Sequence, residues 1–127
     1  MANDLLKVIA GVDTHADTHH VATITEHGQY VADQEFLAVG SGYRKICDYI
    51  TQFGTVIGVG VEGTGSNGAE SGRVLANEGF TVQEVNRPNR QARRLRGKSD
   101  PLDAFQAAKS VLAARETSTP KGKERTR

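Results

Sequence analysis

The 127-residue chain has a single cysteine, Cys47, which excludes an internal disulfide framework and a cysteine-rich zinc site. It has only three prolines beside 14 glycines, so it is neither a proline-rich linker nor a collagen-like repeat. No apolar run approaches the roughly 20 residues of a membrane-spanning helix. The start, Met1-Ala-Asn-Asp4, lacks a basic leader region, so no secretory signal is expected. A reducing, intracellular setting follows as an expectation. A composition that is 37% hydrophobic and 24% charged is that of a chain able to build one packed core.

A net charge of +1 conceals a strong polarity. Residues 1–86 hold 4 Lys/Arg against 11 Asp/Glu, and residues 87–127 hold 12 against 4. An acidic body joined to a basic end is the pattern of a protein that meets a polyanion, although a solvated tail would look the same at this level. The cations concentrate in Arg87, Arg90, Arg93, Arg94, Arg96 and Lys98. No aromatic residue interrupts them, so contacts to phosphates rather than base stacking are expected, with DNA and RNA undistinguished.

Leu6 to Asp13 is a nearly continuous apolar run, as for a central strand covered on both faces. His20–Thr25 and Tyr30–Phe36 alternate around Gly28 and read as a hairpin over residues 19–37. Ser41 is a candidate helix cap, and Tyr43, Ile46, Cys47, Ile50 and Phe53 mark one helical face. Thr55–Val61 is a second buried-type strand that ends at Glu62. A glycine-rich turn over 63–68 then precedes a helix over 69–78, and Phe80–Val85 is a third buried-type strand. An alanine-rich helix runs from Asp103 to Arg115, and residues 116–127 read as a disordered or truncated tail. The element order is β-β-β-α-β-α-β-α, an α/β mixed sheet with an antiparallel hairpin at one edge.

Asp13 and Glu62 stand at the carboxyl ends of buried-type strands, where open α/β sheets bind ligands. An acid there is costly unless solvated, paired or bound to metal. Asp100 and Asp103 are three residues apart at a helix start, and Pro101 between them suits a first turn. Each acid alone has a structural reading: Asp100 as a cap, Asp103 as a first-turn acid favoured by the helix dipole, Glu62 as a turn residue. Together, from three separate segments, they are the oxygen donors that two Mg²⁺ ions about 4 Å apart require for in-line phosphodiester displacement, with Mn²⁺ as a substitute.

Three segments carry a family resemblance: Val8-Ile-Ala-Gly-Val-Asp-Thr-His15, Gly60-Val-Glu-Gly-Thr-Gly65 and Lys98-Ser-Asp-Pro-Leu-Asp-Ala104. They resemble the acidic motifs of DEDD-type transposases of the insertion sequence 110 family, which are related to the Piv-like invertases. The resemblance spans about residues 7–115. It implies a RuvC-like nuclease domain of ribonuclease H-like fold over residues 1–115, with Asp13, Glu62, Asp100 and Asp103 as a Mg²⁺-binding catalytic tetrad. It further implies transposition and recombination of DNA directed by a structured RNA, in a bacterial-type cytoplasm at the nucleoid. Full-length members continue into a second domain with a serine nucleophile. This sequence ends at Arg127, so the N-terminal domain alone, truncated or isolated, is expected.

Other constellations compete with that reading. Gly58-Val-Gly-Val-Glu-Gly63 spells a dinucleotide fingerprint, but its first two glycines lie within a strand and Glu62 would oppose a pyrophosphate. Glycines that let a helix approach the sheet are the better explanation. His15, Asp17, His19 and His20 have spacing that would suit a transition metal only on a helix, whereas the segment is strand, turn and strand. His15 is instead expected to line the acidic site. Thr64, Ser66 and Asn67 read as turn and capping residues, and Cys47 as core. Two further functional readings remain. One is a catalytically idle nucleic-acid-binding remnant, and the other is half of an actin-like ATPase. Apolar surface on the hairpin edge and terminal helix would suit a homodimer.

Overall fold

The computed structural model describes residues 6–15, 17–63, 65–85 and 100–124, with the side chains of 65–68, 100 and 118–124 not described. Strand β1 (Lys7–Thr14) is buried along almost its whole length because it has a neighbour on both sides and helices on both faces. Its partners are β2 (Thr18–Thr25), antiparallel, and β4 (Thr55–Glu62), parallel. The hairpin is completed by β3 (Tyr30–Leu37) through a turn at Gly28, whose φ of 90° is natural for glycine. Strand β5 (Val82–Val85) pairs parallel with β4, which gives the sheet order β3-β2-β1-β4-β5. The expected succession of elements is the observed one.

Helices α1 (Gly40–Thr51) and α2 (Gly65–Asn77) cover one face, and α3 (Asp100–Glu124) covers the other. Alternation on the strands divides the core accordingly. Ala10, Val12, Val21, Phe36, Val59 and Val61 pack with Tyr43, Ile46, Cys47 and Ile50 of α1 and Leu75 of α2. Ile9 and Ile24 pack with Ala108 and Val111 of α3. Cys47 is a core residue, and burial raises its thiol pKa.

Five local expectations are corrected. The cap of α1 is Val39, without a side-chain bond, and Ser41 lies inside the helix, which starts once Tyr43 N–H reaches the Val39 carbonyl (3.0 Å). The helix ends at Thr51, so Phe53 lies beyond it and packs edge-on against Tyr49. Helix α2 absorbs Gly65–Gly68, read from the sequence as a turn; with few bulky side chains the segment has low intrinsic preference, and the position after β4 decides it. Strand β5 is a short, half-buried edge rather than a buried strand, because among the described residues nothing pairs beyond it in the sheet. The last helix, expected to stop at Arg115, continues to Glu124, and Thr117 Oγ1–H bonds back to the Ala113 carbonyl oxygen (2.8 Å) one turn earlier.

Candidate active site

Alternation on two adjacent strands sets the site. On β1, Ile9 and Gly11 face α3, and on β4 so do Gly58 and Gly60. Two residues further on, Asp13 and Glu62 turn to that same face, and the parallel register pairs them directly. The helix lies unusually close here. A β-carbon on Gly11 would stand 2.0 Å from the Ala104 carbonyl oxygen and 2.4 Å from Ala108 N, and one on Gly60 would stand 2.6 Å from the Ala107 carbonyl oxygen. Gly58 is likewise filled by Val111. The glycines thus admit α3 to the sheet, as expected, and are not a dinucleotide fingerprint.

The contacts also fix the helix direction. Gly11 meets Ala104 and Ala108, while Ile9 clusters with Ala108 and Val111, so moving up β1 towards Asp13 means moving back along α3. That path leads to Asp103, on the sheet-facing side next to Ala104. Asp13, Glu62 and Asp103 are 2%, 4% and 7% exposed, far below the usual for acids; the first two end the paired parallel strands, and Asp103 lies towards that same end. Asp100 opens α3, and its side chain lies outside the described residues. Three of the four candidate carboxylates therefore share one face and one end of the sheet.

The turn after β1 adds a histidine to this group. His15 Nε2–H donates to Asp13 Oδ2 at 2.9 Å. Thr14 Oγ1–H donates to the Glu62 carbonyl oxygen at 3.2 Å, which ties the two strand tips together. Behind them, on the opposite face, lies a buried polar network that the sequence does not announce. His19 Nε2 stands 3.1 Å from the Tyr43 hydroxyl and 3.2 Å from Ser71 Oγ, linking β2 to α1 and α2. Burial lowers the His19 pKa below the ordinary 6.5; His15 adds to the depression, while the Thr18 carbonyl and Glu70 oppose it. The available signal was the strand alternation itself, which sends neighbouring His19 and His20 to opposite faces.

His20 sits opposite Asp13 in the β1–β2 register and bonds Asp33 Oδ2 through Nε2 at 2.5 Å. The Tyr30 hydroxyl donates to the other Asp33 oxygen. These two bonds, Tyr30's first, hold the Asp33 carboxyl below its usual range. The histidines therefore serve separate hydrogen-bond partners, consistent with their placement on strand and turn.

Carboxylate oxygens are the hard donors that Mg²⁺ and Mn²⁺ take, and buried acids at strand tips match such an ion in charge and position. Among the described residues no three His, Cys, Asp or Glu side chains form a ready cation cage. In donor type Asp13, Glu62 and Asp103 suit a divalent ion. The basic residues Arg87, Arg90, Arg93, Arg94, Arg96 and Lys98 lie outside the described residues. No helix among the described residues is long and apolar enough to cross a membrane.

Comparison with known proteins supplies the context for this geometry. Two structures of Thermus thermophilus RuvC superpose on the chain, one of them in complex with a Holliday junction substrate. The complex gives a TM-score of 0.60 at 15% identity, and the other gives 0.59 at 13%. In both cases 87% of this chain and 96% of the RuvC chain are covered. No curated protein sequence matches. The family model for DEDD transposases of the insertion sequence 110 type, described as Transposase, matches residues 10–127. The chain belongs to the insertion sequence 110 family of DEDD transposases and has the RuvC-like, ribonuclease H-like fold.

Proposed function

We propose that this chain is the N-terminal catalytic domain of a DNA transposase or recombinase that cleaves and transfers phosphodiester strands with divalent cations. The observation that supports the reading is that three buried acids, Asp13, Glu62 and Asp103, lie on one face and at one end of the sheet, with Asp13 and Glu62 in direct register. When bound, a pair of Mg²⁺ ions supplies activation of a water or 3′-hydroxyl and neutralisation of the leaving oxygen. The chain's own part is positioning. Asp13 is set by β1, Glu62 by β4 and Asp103 by a helix pressed into a glycine groove, so none of the three relies on a flexible loop. Helix α3 also covers this face of the sheet below the acids and keeps water from their floor. Asp100 is assigned the fourth ligand position by the family motif.

The basic residues from Arg87 to Lys98 are assigned to the phosphate backbone of DNA, in line with the substrate of the structurally similar RuvC. Direction by a structured RNA, a cytoplasmic location and pairing of two copies belong to the same reading of the full-length protein. The test uses nicked or branched DNA with Mg²⁺ and compares the chain with Asp13→Ala. Cleavage that the substitution abolishes supports the catalytic assignment. Binding of Mg²⁺ and DNA without cleavage makes the isolated chain a nucleic-acid-binding domain. Stabilisation by ATP, with none by DNA, makes it an actin-like ATPase half.

A further inference from the structure

We infer that His15 is the positioning residue of the Asp13 carboxylate: its imidazole holds Oδ2 so that the group meets a divalent cation in one fixed orientation. The inference rests on the metal reading above. A carboxylate at a strand tip can rotate about its Cβ–Cγ bond, a soft torsion with broad preferences. The bond from His15 Nε2 to Oδ2, 2.9 Å long, removes that freedom. The backbone that carries the imidazole is held in place from behind. The His15 backbone N–H lies 3.3 Å from His19 Nδ1 and 3.1 Å from the Thr18 carbonyl oxygen.

His19 in turn is 1% exposed and fastened between Tyr43 of α1 and Ser71 of α2. The side chain of His15 is 35% exposed and that of Asp13 is 4%. A solvent-side histidine carried on a backbone anchored into the core, and aimed at a buried acid, is built to orient that acid. Partners of this kind orient metal-binding carboxylates and typically change metal affinity 10–100-fold when removed.

The experiment titrates the whole chain with Mg²⁺ by calorimetry and with Mn²⁺ by electron paramagnetic resonance. Thermal unfolding in EDTA is measured in parallel. His15→Ala is expected to weaken cation binding by about 10–100-fold while leaving the unfolding temperature in EDTA unchanged. His15→Gln, whose amide still donates, is expected to recover part of the affinity. Equal affinity of the chain and His15→Ala overturns the inference and leaves the metal reading standing. A glutamine variant as weak as the alanine variant overturns it too, since the imidazole would then be a direct ligand. Loss of metal-free stability in step with affinity assigns His15 to the fold instead. If the unaltered chain binds neither cation, the metal reading falls and takes the inference with it.

Discussion

At the scale of single residues, His19 shows how burial converts a titratable side chain into a structural one. Its ring bonds to Tyr43 and Ser71 in a setting from which water is excluded, and desolvation lowers its pKa. The sign of the resulting pH dependence is fixed. The unfolded chain takes up the proton first, near pH 6.5, so the stability held by neutral His19 is complete above that value and is lost as pH falls towards the lower folded value. Urea unfolding at about pH 7.5 and about pH 5.5, on either side of the ordinary histidine value, should therefore show the chain losing stability on acidification. His19→Gln should show a smaller loss between the same two pH values. An equal loss in both would remove His19 from the account. The sequence drew attention to His15, His19 and His20 as a group, but the partners that separate His19 and His20 come from α1, α2 and β3, distant in sequence.

At the scale of elements, the packing of α3 on β1 and β4 decides whether the acids can meet. Helix and sheet approach until backbone touches backbone, and only glycine at positions 11 and 60 permits it. Gly11→Ala places a methyl group inside the helix backbone. It should cost about 1–3 kcal/mol or more and displace Asp103 from the two strand acids. Gly40→Ala, in the first turn of α1 with nothing within 4 Å, should instead stabilise the chain by about 0.5–1 kcal/mol. Urea midpoints of the two variants should move in opposite directions, and shifts of one sign would contradict the close-packing account. The role of Gly58 and Gly60 was legible beforehand because two glycines inside an apolar strand imply a close approach. Gly11 was not, since a single glycine in an apolar strand reads equally as a bulge or a bend.

At the scale of the whole molecule, charge is distributed by sequence position, acidic before residue 87 and basic after it. If the basic residues track a phosphate backbone, replacing Arg93, Arg94 and Arg96 together by Ala should weaken DNA binding about equally for all sequences. It should also flatten the log–log salt dependence by roughly one unit for each phosphate no longer neutralised. Fluorescence anisotropy over a range of NaCl concentrations measures both, and an unchanged slope would leave the segment as a solvated face. The sequence by itself determined the succession of strands and helices and the apolar faces, because side-chain periodicity and spacing are local properties of the chain, and it offered Asp13, Glu62, Asp100 and Asp103 as candidates. Only the tertiary structure decided the edge status of β5, the pairing of Asp13 with Glu62, the place of Gly11 in the groove that seats α3 and the histidine anchors behind Asp13. Those depend on which distant segments meet, and that is set by register and packing rather than by any one stretch of residues.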